Sequence, residues 1–172
     1  DPSTIDYLIS LGANYKIRDN EANNLLHEAN YENSPELVQK YLSLGLNPNS
    51  RNKYGHTPLF RNLIDSQIKG YKTFPKNNPE VKKHIKILKM MLKAGANIDA
   101  KDTRRNTLFH VAAQGEQDVE VLQILINKGL NINATNYLKT TPLMLASRAN
   151  CDRAVTSSKT NRKICINRKM KI

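Results

Sequence analysis

Asp99-Ala-Lys-Asp-Thr-Arg-Arg-Asn-Thr-Leu-Phe-His-Val-Ala-Ala-Gln-Gly-Glu-Gln-Asp-Val-Glu-Val-Leu-Gln-Ile-Leu-Ile-Asn-Lys-Gly-Leu-Asn-Ile-Asn-Ala-Thr-Asn136 holds two short helical patterns and a polar turn. Its landmarks recur along the chain. Thr107 aligns with Asn24, Thr57 and Thr141, and Gly129 with Gly12, Gly45 and Gly95. Each glycine precedes its Thr or Asn mark by 12 residues, and successive glycines are 33, 50 and 34 apart. A period near 33 means one supersecondary unit stacked on copies of itself, because a single unit cannot bury its apolar face alone.

The unit resembles the ankyrin repeat. The residues that carry the resemblance are Thr57-Pro58-Leu59-Phe60, Thr107-Leu108-Phe109-His110-Val111-Ala112-Ala113 and Thr141-Pro142-Leu143-Met144-Leu145-Ala146. A second signature follows in phase, as Leu92-Lys93-Ala94-Gly95-Ala96-Asn97 and Leu125-Ile126-Asn127-Lys128-Gly129-Leu130-Asn131. The resemblance implies an all-α repeat solenoid, with antiparallel helix pairs joined by β-hairpin-like turns. It implies an array over residues 1–149: a partial repeat (1–18), a repeat (19–51), a repeat with a 17-residue insertion (52–101), a repeat (102–135) and a half repeat (136–149). Residues 150–172 read as a mobile basic tail. Asp1-Pro2 repeats the cap-and-proline device of Ser34-Pro35, so the chain starts on the second helix of a unit. Ile5, Leu8 and Ile9 would then face a missing neighbour, which suggests a longer parent array.

The turns depart from the family in one respect. Ala22, Arg105 and Lys139 stand where it has glycine, and only Gly55 keeps it. If the position needs φ > 0, each substitution costs roughly 1 kcal/mol. Helices are expected over Asn23 to Tyr31 and Pro35 to Leu44. In the insertion, Asp65 to Asn77 reads as a loop and Pro79 to Lys93 as a long helix. Val81, Ile85, Leu88 and Leu92 form its core stripe, packed on Leu59 and Leu63. Lys82, Lys86, Lys89 and Lys93 form a basic stripe about 100° round.

The net charge of +12 is uneven: +6 lies in Asp65 to Lys93 and +7 in Arg148 to Ile172, leaving −1 elsewhere. Cys151 and Cys165 make no disulfide framework, so a reduced, intracellular (cytoplasmic) setting is expected. Neither a spanning segment nor a signal peptide is legible. Heavy use of Lys, Asn and Ile fits an AT-rich coding sequence, and with it delivery into a host cell. His27 and His110, at the fourth position of the threonine motif, are by the resemblance structural residues bonded to nearby turns. No zinc spacing, phosphate loop or carboxylate pair is present, so no catalysis, metal or cofactor is expected.

Binding carries the functional expectation. By the resemblance, residues flanking the turn glycine project over a concave face: Asn20, Glu21 and Asn23; Lys53, Tyr54 and His56; Thr103, Arg104 and Asn106; Tyr137, Leu138 and Thr140. Tyr54, Arg104 and Tyr137 lead, because Tyr and Arg concentrate interface energy. The expected partner is another protein and the chain a monomer, as part of a host-directed effector or a regulatory scaffold. The alternative is an anionic-surface binder acting through the lysine stripe and tail, toward an acidic protein, a membrane surface or nucleic acid. Nucleic acid is the weakest of these, since aromatics for base stacking are absent there. A further alternative makes the array the targeting part of a longer enzyme.

Overall fold

The computed structural model describes residues 2–68, 79–114 and 119–157. It is an all-α repeat solenoid. Eight helices lie among the described residues: α1 Pro2–Ser10, α2 Leu25–Tyr31, α3 Pro35–Ser43, α4 Pro58–Ile68, α5 Pro79–Lys93, α6 Leu108–Gln114, α7 Val119–Asn127 and α8 Pro142–Ser157. They form two rows. In the front row α2, α4, α6 and α8 pack in succession; behind them α3 packs on α2 and α5, while α5 packs on α4 and α7 on α6. At the start of the back row, Lys40 of α3 pairs with Asp6 of α1.

Each back-row helix stops in the same way. At the end of α5, Gly95 adopts φ +83°; its N–H donates to Leu92 O (3.1 Å) and the Ala96 N–H to Met91 O (2.9 Å). That is a Schellman stop, and a Cβ at Gly95 would meet nothing, so the left-handed φ alone selects glycine. After α3 and α7 the residue following the stop turns inward: Leu46 and Leu130 are both buried. Two residues past the glycine, Asn14, Asn47, Asn97 and Asn131 each accept a backbone N–H two residues on, at 2.8–2.9 Å. A repeated asparagine therefore folds the loop toward the next turn.

The start of α2, and likewise that of α6, pairs its capping residue with a histidine that also joins repeats. Asn24 Oδ1 accepts the His27 N–H (3.2 Å), and His27 Nδ1 accepts the Asn24 N–H (3.2 Å). Asn24 is thus the cap, and α2 begins at Leu25 rather than Asn23. A carbonyl can only accept, so the ring proton sits on Nε2, which donates to His56 O in the next repeat (3.1 Å). His110 does the same toward Thr140 O (2.9 Å). Both histidines are fully buried, and burial pulls the pKa of His27 down to about 4.

The third repeat is enlarged on both helices. α4 has 11 residues where α2 and α6 have 7, and α5 has 15 where α3 and α7 have 9. Helix therefore runs through Asp65–Ile68, where a loop was expected. The pair seals itself: Leu59, Leu63, Val81, Ile85 and Leu88 are buried as expected, joined by Ile87 and Met91, while Leu92 is half-buried. Asn62 Nδ2 of α4 donates to His84 Nδ1 of α5 at 3.1 Å, both groups buried. The remainder of the expected loop, residues 69–77, lies outside the described residues. At the other end α8 runs to Ser157, past the boundary expected at 149, and residues 158–172 of the expected tail lie outside the described residues. Exposed Leu8 and Leu11 and half-buried Ile9 mark one edge of the stack, exposed Leu143 and Met144 the other.

Two outcomes follow. Leu88→Ala removes a fully buried side chain at the centre of the α4–α5 pair and is expected to lower unfolding stability by ~2–5 kcal/mol, read from urea denaturation. His27 is held neutral, with its folded pKa below the ordinary 6.5. Its contribution is complete above pH 6.5 and is lost as pH falls from there to about 4. The loss is on the order of 3 kcal/mol. Urea midpoints at pH 7 and pH 4.5 should diverge in the wild type and converge in His27→Gln.

Candidate functional site

Between the rows the chain makes four hairpins with one construction: 19–23, 52–56, 102–106 and 136–140. In each, the N–H of the first residue donates to the carbonyl of the fifth (3.0–3.1 Å), and the N–H of the fourth to the carbonyl of the first (2.9–3.0 Å). The fourth residue takes a left-handed φ: Ala22 61°, Gly55 75°, Arg105 62° and Lys139 55°. The turn does require φ > 0, so three of the four tips carry left-handed strain. Gly55 has a second constraint. A Cβ there would sit 2.7 Å from Arg51 Nη2 and 3.0 Å from the Thr103 backbone nitrogen.

The first residue of each hairpin, Asp19, Asn52, Asp102 or Asn136, holds the turn. Its Oδ1 accepts the backbone N–H of the third and fifth residues, at 2.7–3.0 Å. Sequence reasoning missed these four residues. The signal was there: each lies five positions before Asn24, Thr57, Thr107 or Thr141. Burial by itself would raise the Asp102 carboxyl, but the nearby His56 ring, the hydrogen bond from the Asn106 side chain and those from the N–H groups of Asn106 and Arg104 hold it below the usual value. Asp19 is lowered too, chiefly by the bond from the Asn23 side chain.

Neighbouring hairpins are laced together. The Lys53 N–H donates to Glu21 O (2.9 Å), Thr103 to Tyr54 O (3.0 Å) and Tyr137 to Arg104 O (3.0 Å). Beneath them Asn52 Nδ2 donates to Asn23 Oδ1 and Asn136 Nδ2 to Asn106 Oδ1, both at 2.9 Å. His56 Nε2 stands 3.8 Å from Asp102 Oδ2 in the corresponding gap. Backbone and side-chain bonds together fix the spacing of the tips.

The expected site residues divide by their place in this lattice. Lys53, Tyr54, Thr103, Arg104, Tyr137, Leu138 and Asn20 are exposed; Tyr137 and Leu138 show 66% and 64% of their surface, Tyr54 42%. Thr140 and Asn23 are buried, at 4% and 3% exposure. They cannot present a side chain to a partner, because the fifth hairpin position faces the adjoining hairpin. His56 and Asn106 share that position and are half-buried; the His56 ring lies parallel to Phe60 at 5.5 Å. At the first junction Tyr54 donates its hydroxyl to Glu21 Oε1 (3.0 Å) and Lys53 Nζ lies 3.4 Å from the same oxygen. The Tyr54 bond is the main cause of the lowered Glu21 pKa.

Lys82, Lys86, Lys89 and Lys93 are all exposed on α5, in the back row. They line an open groove to which no hairpin residue contributes. Among the described residues there is no cluster able to hold a metal ion, and no helix is long and apolar enough to cross a membrane.

Residues 80–157 match the family model for ankyrin repeats (three copies). No curated protein matches the chain.

Arg105→Gly and Lys139→Gly each relieve a left-handed side chain and are expected to raise stability by up to ~1 kcal/mol. Gly55→Ala is expected to destabilise, because the space above that residue is filled. Thermal melts of the three variants check the contrast.

Proposed function

From the chain's membership of the ankyrin-repeat family, whose repeats mediate protein–protein interaction, we propose that the row of hairpin tips is the docking surface for another protein. The supporting observation is the exposure of Tyr54, Arg104, Tyr137 and Leu138 on hairpins that are hydrogen-bonded to one another. Tyr and Arg are enriched at the energetic centres of interfaces. The lattice beneath them holds their spacing before a partner arrives. Little conformational entropy is then lost on binding, which is the usual route from a modest surface to a firm complex. In this reading the chain recognises and positions its partner and performs no chemistry on it. Such a role suits a scaffold or an effector.

The test is capture of a partner from cell lysate by the wild-type chain, followed by the same capture with Tyr54→Ala, Arg104→Ala and Tyr137→Ala. At least one substitution is expected to weaken the complex by ~2 kcal/mol or more, about thirtyfold. Lys86→Ala, in the back row, should leave this partner bound. Equal retention by all three tip variants, with unchanged melting temperatures, would overturn the proposal.

A further inference from the structure

The enlarged third repeat carries a surface that the hairpins do not use. The extra residues of α5 extend it by a turn and a half beyond the length of α3 and α7, about 9 Å of additional helix. Its inward face is fully engaged, through Val81, His84, Ile85, Ile87, Leu88 and Met91. Its outward face bears Lys82, Lys86, Lys89 and Lys93 at intervals of four, three and four, all exposed. With Ile85 and Met90 they line an open groove of about 360 Å³.

The electrostatics of this groove are one-sided. Lys83, off the stripe, is tied to Glu80 at 2.8 Å. On the stripe, Lys89 Nζ lies 3.3 Å from Glu120 Oε1 of α7. Lys82, Lys86 and Lys93 have no ion pair among the described residues. Glu120 thus marks how a carboxylate sits on this row, and three further cations offer the same contact. Lysine stems add methylene groups to Ile85 and Met90, so the groove is apolar along its floor and cationic along its rim.

We propose that this groove docks an acidic amphipathic segment of a second partner protein. Aliphatic side chains of the segment lie on Met90 and the lysine stems, and its carboxylates meet Lys82, Lys86 and Lys93. The stripe covers 12 residues, Lys82 to Lys93, with roughly 16 Å between its ends, which matches about three turns of a docked helix. The chemistry favours carboxylates over the other anions. A carboxylate, that of Glu120, already lies on this row against Lys89. No aromatic side chain lines it to stack a base. Two binding faces on one rigid array make the chain an adaptor.

The experiment uses the full chain and a fluorescent 14-residue helical peptide with Glu at i, i+4, i+7 and i+11 and Leu on the adjoining face. Anisotropy is read at 50 and 300 mM salt. A scrambled peptide of equal composition, a DNA duplex and phosphatidylserine vesicles are run alongside. Saturable binding of the patterned peptide is expected, at least tenfold tighter than the scrambled one and weakened at least tenfold by the higher salt. The triple variants K82E/K86E/K93E and K82Q/K86Q/K93Q should lose it at unchanged helicity, the glutamate form more completely. Arg104→Ala and Tyr137→Ala should retain it, which separates this site from the hairpin surface. No binding, equal binding of the scrambled peptide, tighter binding to DNA or vesicles, or full binding by the folded triple variants would each overturn the proposal.

Discussion

Four side-chain oxygens, on Asp19, Asn52, Asp102 and Asn136, hold the array in register. Each accepts two N–H groups from its own hairpin and thereby closes a turn that the backbone alone would leave open to other conformations. A closed turn aims the second residue's N–H or the third residue's carbonyl at the neighbouring hairpin. The front-row helices inherit that spacing, because each begins two residues after its hairpin ends. The dependence explains how left-handed strain is tolerated at Ala22, Arg105 and Lys139. A strain of roughly 1 kcal/mol per site is small against two charge-assisted or amide hydrogen bonds plus an inter-repeat bond.

Repeats are also joined from within. His27 and His110 reach from one repeat to a backbone carbonyl of the next, both from a fully buried position, and burial holds His27 neutral. The intervening repeat has Phe60 at that position. It makes no such bond and instead stacks on the His56 ring, while Arg61 lies 4.5 Å over the ring of Tyr31. The histidine bond to the next repeat is therefore made in two repeats, whereas in the one between them the equivalent side chain packs on His56 of its own repeat. Equivalent positions in a repeat array need equivalent geometry, and chemistry can differ.

Much of the candidate surface was legible in the residues. The glycine-to-threonine spacing located all four hairpins, and the resemblance assigned Tyr54, Arg104, Tyr137 and Leu138 to their tips. Two nominated side chains, Asn23 and Thr140, proved buried. Their hairpin position is the fifth, whose direction depends on how closely the neighbouring hairpin approaches, and that distance is a property of the stack. The residues that hold the turns went unnoticed because Asp and Asn are common in any loop. Only the recurrence of one such residue at a constant offset distinguishes Asp19, Asn52, Asp102 and Asn136 from their surroundings.

The sequence by itself determined what is local and periodic. Period, helix pairs, glycine stops and the need for a left-handed turn residue all depend on spacing within one repeat, where backbone sterics and apolar alternation act over a few residues. The tertiary structure decided what depends on neighbours. It carried α4 through Ile68, beyond the length of α2 and α6. It paired Asn62 with His84 across 22 positions. It buried Thr140 and left Tyr137 in water, although both belong to one five-residue turn. Such outcomes rest on which atoms of the next repeat lie within hydrogen-bond or van der Waals reach. That reach is set only when the repeats are stacked.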